Sequence, residues 1–168
     1  QDTTNYGIDL YGEIKILELL KELVKIEELK WIRLLYCYPK RFTDELLNFM
    51  ATEPKICKYI DLPLQHAHND VLKAMARQDT KEEIEDLLLR IRKIMPTATI
   101  RTSFIVGFPG ESIEHYETLK EFIIKQRFDK VGIFTYSKEE DTVAFTMEQQ
   151  VSEEIKQERY HELMAIQS

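Results

Sequence analysis

Ile105-Val106-Gly107-Phe108-Pro109-Gly110-Glu111 runs from β-branched residues into a glycine turn and delivers a glutamate just before a helical pattern. A strand, a tight turn and a helix start, in that order, make a βα junction. In parallel α/β proteins such junctions carry the ligand site. Gly107 removes a side chain where a strand ends, which admits close approach of a ligand or of backbone. Pro109-Gly110 sets the turn. Glu111 is placed to accept from a ligand or to act in the first helical turn.

Working outward, four apolar stretches read as strands: Trp31–Tyr38, Tyr59–His66, Thr99–Phe108 and Lys130–Ser137. Helical patterns separate them. Ile14–Leu29 repeats Leu and Ile at helical spacing. Thr43 caps a helix to Met50, with Asp44 and Glu45 in its first turn. Asp70–Arg77 is a short helix. Thr80-Lys81-Glu82-Glu83 opens a helix running to Met95, just ahead of Pro96. Ser112 caps Ile113–Gln126, and Ser152 caps Glu153–Ile166. Strands alternating with helices imply right-handed βαβ units and a parallel sheet.

Side-chain alternation separates a barrel from an open sheet. Arg33 shares a face with Trp31 and Leu35. Tyr59, Asp61, Pro63 and Gln65 oppose Ile60, Leu62, Leu64 and His66. Arg101, Ser103 and Gly107 oppose Ile100, Thr102, Phe104 and Val106. Gly132, Phe134 and Tyr136 oppose Val131 and Ile133. Each strand therefore has an apolar face for helices, and three of the four carry polar groups on the other. An open parallel sheet is apolar on both faces, and a filled eight-stranded barrel is apolar inside. The pattern predicts an incomplete parallel β/α barrel, wide enough to enclose a ligand. Asp61, between Arg33 and Arg101, predicts an internal ion network, since a buried isolated charge is costly.

The 168 residues suit one domain with a proper core, and the net charge is −7. No basic face of the kind that grips nucleic acid through phosphates is visible. No apolar run is long enough to span a membrane, and no signal peptide is expected. Cys37 and Cys57 form no Cys-x-x-Cys pair, so the expectation is two free thiols and a cytoplasmic setting. The chain opens at Gln1 inside a motif-like Gln-Asp-Thr, which predicts a segment of a longer protein.

Gln65-His66-Ala67-His68 ends the second strand with donors and acceptors where a cofactor would sit. His66 and His68, two apart, have metal-pair spacing, but no third ligand accompanies them and His68 reads as a helix cap. Arg77 offers a planar fork to a carboxylate. Phe134 and Tyr136 offer rings to a flat base. There is no Ser-His-Asp order, P-loop or GxGxxG, and no mid-strand lysine of the aldolase kind.

Six segments, in order, resemble the radical S-adenosylmethionine methylthiotransferases across essentially the whole chain. They are Gln1-Asp2-Thr3-Thr4-Asn5-Tyr6-Gly7, Trp31-Ile32-Arg33-Leu34-Leu35-Tyr36, Tyr59-Ile60-Asp61-Leu62-Pro63-Leu64-Gln65-His66, Met75-Ala76-Arg77, Arg101 through Glu111, and Phe134-Thr135-Tyr136-Ser137 continuing to Thr142-Val143-Ala144. Gln-Asp-Thr-Thr-x-Tyr-Gly is similar to the branch that modifies an aspartate of a small-subunit ribosomal protein. The branch acting on transfer-RNA adenosine usually reads Gln-Asn-Val-Asn there. Asp141 stands where the ribosomal branch has Gly.

The resemblance implies a radical SAM, TIM-barrel-like fold, S-adenosylmethionine and two 4Fe-4S clusters. One cluster is held by a Cys-x3-Cys-x2-Cys run, which these 168 residues lack. It further implies that the first barrel strands, the amino-terminal cluster domain and the carboxy-terminal TRAM domain lie outside this chain, which alone is expected to be inert. Cys37 and Cys57 match no cluster ligand. By resemblance the cofactor pocket draws on Gln1, Gln65, His66, Arg77, Arg101, Ser103, Gly107, Glu111, Phe134 and Tyr136. No residue is assigned as acid, base or nucleophile, and no metal ligand is assigned. The implied substrate is a ribosomal protein, with transfer RNA and a non-catalytic binding module as the alternatives.

Overall fold

A computed structural model describes residues 2–167. Seven α-helices and three strands are defined among them. The helices are α1 (Ile8–Tyr11), α2 (Ile16–Leu23), α3 (Asp44–Thr52), α4 (Asn69–Ala74), α5 (Lys81–Ile94), α6 (Ile113–Gln126) and α7 (Glu153–Gln167). The strands are β1 (Tyr59–Gln65), β2 (Thr99–Val106) and β3 (Lys130–Thr135). They form one parallel sheet in the order β1-β2-β3, with α5 and α6 as the crossovers. The chain folds as two compact units, the first holding residues up to Pro63 with Glu82–Arg101, the second holding Leu64–Lys81 with the stretch from Thr102 onward.

In the first unit, Thr43 Oγ1 accepts from Leu46 N–H at 3.2 Å and fixes the start of α3. That helix turns Leu46, Leu47 and Met50 inward. α5 buries Ile84, Leu87, Leu88 and Ile91, an i, i+3, i+4, i+7 stripe. α2 is shorter than the Ile14–Leu29 periodicity predicts. Lys55 Nζ donates to the carbonyls of Val24 (2.9 Å) and Ile26 (2.6 Å), so the helix-end acceptors are satisfied without a further turn.

The strand predicted at Trp31–Tyr38 does not form; only Ile32 makes a parallel bridge, to Ile56. Side chains and irregular backbone bonds, among them Cys37 N–H to the Asp61 carbonyl at 3.0 Å, take over its ladder. Tyr36, at φ 54°, donates its N–H to Asp61 Oδ2 at 2.9 Å. Thr3 N–H donates to the Tyr36 carbonyl, Thr3 Oγ1 to the Leu35 carbonyl at 2.6 Å, and Tyr38 N–H to Thr4 Oγ1 at 3.1 Å. Backbone groups satisfied in this way have no need of a strand partner.

In the second unit, β2 alternates as expected, burying Thr102, Phe104 and Val106. Ser112 and His115 form a reciprocal capping box at the start of α6, which buries Tyr116, Leu119, Phe122 and Ile123. Phe104 is fully buried, edge-on to Phe122 (centroids 6.3 Å) and Phe128 (5.9 Å). Phe104→Ala is expected to destabilise the protein by about 3–5 kcal/mol. Urea denaturation checks this, and a loss under 1 kcal/mol would remove Phe104 from the centre of the core.

Candidate cofactor site

Three strand ends build the site in the second unit. β1 stops because Gln65 adopts φ 73°, β2 stops at Gly107 with φ 74°, and β3 continues irregularly into Tyr136, whose N–H donates to the Val106 carbonyl at 2.8 Å. Phe108 to Glu111 is a type II-like turn. Pro109 sits at its second position, Gly110 at φ 82° is third, and Glu111 N–H donates to the Phe108 carbonyl at 2.9 Å.

Between these ends lies a pocket of about 730 Å³. Its walls include Gln65, Arg77, Ser103, Phe134 and Tyr136, five of the ten residues expected for the cofactor. Ile105, Phe108, Met75, Ala76, Thr135, Ser137, Val143 and Ala144 complete much of the rest. Phe134 is half exposed and presents its ring. Phe108 meets Tyr136 edge-on at 5.4 Å. The Tyr136 hydroxyl is buried and has no hydrogen-bond partner among the described residues. Ala76, like Gln65, holds a left-handed conformation, φ 56°. Both line the pocket, and strained backbone of this kind clusters at ligand sites.

His66, Gly107 and Glu111 do not line the pocket; they form the buried frame behind it. The Glu111 carboxylate accepts from Gly107 N–H at 2.9 Å, from His66 Nε2 at 3.2 Å and from Arg159 Nη1. His66 Nδ1 accepts from His68 N–H at 3.0 Å, which places the ring proton on Nε2. Burial opposes ionisation of Glu111. The hydrogen bonds from His66 and Gly107, with the Arg159 charge, outweigh it and hold the carboxyl below the usual range. Arg77, held 3.7 Å from Asp79, keeps a face on the pocket.

Arg101 belongs to the first unit and pairs there with buried Asp61 at 2.7 Å. The predicted network is therefore half formed, because Arg33 lies over the rings of Trp31 and Tyr59 instead. Gln1 lies outside the described residues. Arg159 and Lys156 were not legible as site residues, since a helix beginning Glu-Glu-Ile-Lys-Gln-Glu-Arg reads as solvated. Phe108, Ile105 and the Met75-Ala76 pair sit within the quoted motifs, but the period-two pattern reaches only Ile105, which shares the Ser103 face of β2.

A model of the Radical SAM superfamily matches residues 3–123. The chain belongs to the Radical SAM superfamily. It is 56% identical over 167 residues to the ribosomal protein uS12 methylthiotransferase RimO of Desulforamulus reducens, covering 99% of this chain and 38% of that protein. It is 52% identical to the protein of that name from Heliobacterium modesticaldum (99% and 36%) and 50% identical to that from Elusimicrobium minutum (100% and 39%). The chain thus spans little more than a third of these relatives. The radical SAM enzyme coproporphyrinogen III oxidase, HemN, from Escherichia coli superposes with a TM-score of 0.71 at 18% identity, over 88% of this chain and 36% of that one. That likeness establishes the fold and agrees with a partial barrel.

The superfamily implies S-adenosylmethionine and a 4Fe-4S cluster. The cluster does not fit the cysteines present. Cys37 is buried, and burial, followed by the charges of Asp61 and Asp2, pushes its thiol up to about 12. Cys57 is the one other thiol, and a cluster asks for at least three thiolates. S-adenosylmethionine does fit. The pocket volume falls in the range of small-molecule sites, its rings suit a base, and a buried Tyr136 hydroxyl awaits a polar partner. Among the described residues no helix is long and apolar enough to cross a membrane.

Beside the frame, His68 and His115 stack at 4.1 Å. His68 Nδ1 accepts from Asp70 N–H (3.2 Å) at the start of α4, and His115 Nδ1 accepts from Ser112 N–H (3.2 Å) at the start of α6. His68 is therefore a cap, not half of a metal pair with His66. Burial, then the charges of His115 and His66, lower the His68 pKa below 6.5, against the weaker opposing pull of Asp70 and Glu114. A group depressed in the fold contributes stability that is complete above its unfolded pKa. That contribution falls away as pH drops through the window between 6.5 and the lower folded value. Stability should decline as pH falls below 6.5, and His68→Asn, which keeps the cap without titrating, should flatten that slope. Chemical denaturation across this range checks it; an unchanged slope in His68→Asn would exclude His68 as the source.

Proposed function

We propose that this chain is the cofactor-binding part of a methylthiotransferase that adds a methylthio group to an aspartate of ribosomal protein uS12. The observation that carries the cofactor reading is the pocket bounded by Phe134, Tyr136, Gln65, Ser103 and Arg77 at the strand ends. The substrate reading is supported by 50–56% identity, along essentially the whole chain, to proteins named as uS12 methylthiotransferases. The Gln-Asp-Thr-Thr-x-Tyr-Gly segment and the acidic net charge of −7, suited to a basic protein partner, point the same way.

In this reading Phe134 and Tyr136 hold the adenine, Gln65 and Ser103 offer polar contacts, and Arg77 answers the cofactor carboxylate. S-adenosylmethionine, once bound, supplies the chemistry that removes a hydrogen from an unactivated carbon. The chain's own contribution is to bind, orient and keep water from the reacting end. The aromatic and aliphatic walls exclude water, and the Glu111 frame fixes the two strand ends that carry Gln65 and Phe108. No protonation step is assigned to Glu111, because its oxygens are committed to Gly107, His66 and Arg159. Cluster ligands, for one cluster or two, come in this reading from residues beyond these 168.

Two measurements test the proposal. Phe134→Ala in the full-length protein should weaken S-adenosylmethionine binding by about 1–3 kcal/mol, the value of one stacked base, with little change in stability because the ring is half exposed. Unchanged affinity by calorimetry would move the base elsewhere. Mass spectrometry of uS12 and of transfer-RNA nucleosides from a strain lacking the gene should show loss of the methylthio group on the uS12 aspartate alone. Loss on transfer-RNA adenosine instead would assign the other branch, and loss on neither would favour a binding module.

A further inference from the structure

Helix α7 lies beyond the residues matched by the superfamily model, which end at 123, yet it delivers two buried cations to the back of the pocket. Lys156 and Arg159 are one turn apart on α7 and are 3% and 8% exposed. Lys156 Nζ donates to the Tyr136 carbonyl at 3.0 Å and lies 5.2 Å from the centre of the Tyr136 ring. Its stem crosses Gly107 so closely that a Cβ there would collide with it. Arg159 Nη1 donates to the Glu111 carboxylate and, at 3.2 Å, to the Glu111 carbonyl. The Arg159 carbonyl accepts at 3.4 Å from the Tyr116 hydroxyl, and the guanidinium lies 5.1 Å from the centre of that ring.

Burying two cations is expensive, and a helix that only had to cover the sheet would do so with apolar side chains. These two instead grip the chain just beyond two of the three strand ends that wall the pocket, those of β2 and β3. Lys156 fixes Tyr136. Arg159 fixes Glu111, which in turn holds Gly107 N–H and His66, the neighbour of Gln65. We propose that Lys156 and Arg159 are positioning residues that set S-adenosylmethionine affinity by locking the Gly107–Glu111 turn and Tyr136. This rests on the cofactor reading of the pocket.

The test uses the cluster-loaded full-length protein, with S-adenosylmethionine affinity read by calorimetry and folding by urea denaturation. Lys156→Met is expected to shift its urea midpoint little, because no longer burying a cation offsets the donor lost to the Tyr136 carbonyl, and Glu153, the carboxylate it leaves, is largely exposed. Its affinity should fall on the order of tenfold, as for other groups that orient ligand-contacting residues. Arg159→Met should weaken binding similarly, and Arg159→Lys, which keeps a cation on Glu111, should recover most of the loss. Arg159 acts through Glu111, so Arg159→Met should cost nothing further in a Glu111→Gln background, where no buried carboxylate is left uncompensated. Unchanged affinity in Lys156→Met and Arg159→Met, or losses that add fully with Glu111→Gln, would overturn the proposal. So would affinity that falls only in step with the urea midpoint in every variant, which would leave the cations a merely structural role. Failure of the unaltered protein to bind S-adenosylmethionine would instead overturn the cofactor reading, so the two failures are told apart.

Discussion

Glu111 has its carboxylate wholly enclosed, and it is charged because three donors converge on it. A carboxylate taken out of water without such partners would cost several kcal/mol or would protonate. Each donor comes from a different part of the second unit: Gly107 from the end of β2, His66 from the end of β1, and Arg159 from α7. The charge therefore specifies where three pieces of chain meet. The pocket walls follow from that meeting, since Gln65 precedes His66 and Phe108 follows Gly107.

The strand ends turn sharply, and the strain is unevenly placed. Gly107 reaches φ 74° without a side chain to oppose it, and Lys156 occupies the space a Cβ would need. Gln65 and Ala76 reach φ 73° and 56° with side chains, each at a cost of about 1–2 kcal/mol. Neighbouring bonds hold them there. His66 is fixed at both ring nitrogens just after Gln65, and Arg77 N–H returns to the Leu72 carbonyl at 2.8 Å just after Ala76. Both strained residues face the pocket, where backbone that cannot relax presents a fixed surface to a ligand.

Much of this was legible in the residues. The alternation of Ile100, Thr102, Phe104 and Val106 gave the buried face of β2, and Ser112 marked the start of α6 without ambiguity. The Gly-Phe-Pro-Gly-Glu run carried its turn type in its composition. What stayed hidden has two physical sources. Trp31–Tyr38 is as apolar and β-branched as a strand, but long-range side chains, Asp61 and Thr3 above all, claim its backbone groups, and no local pattern reports that. Lys156 and Arg159 have the composition of a solvated helix face. Their burial depends on an acidic partner 48 residues earlier in the chain for Arg159, and on a carbonyl 20 residues earlier for Lys156.

The same device appears twice, with different consequences. Asp61 accepts a backbone N–H from Tyr36 and pairs with Arg101, as Glu111 accepts from Gly107 and pairs with Arg159. Arg101 sits on the strand beside its partner and is 38% exposed, so water and salt screen that pair. The Arg159 side chain is 9% exposed and reaches its partner only when α7 is docked. Undocking α7 would strand an uncompensated carboxylate, which costs about 3–5 kcal/mol where a buried pair is broken. The Gly107–Glu111 turn and α7 are therefore formed together or not at all, and the ordering of the pocket is tied to a helix that lines none of it.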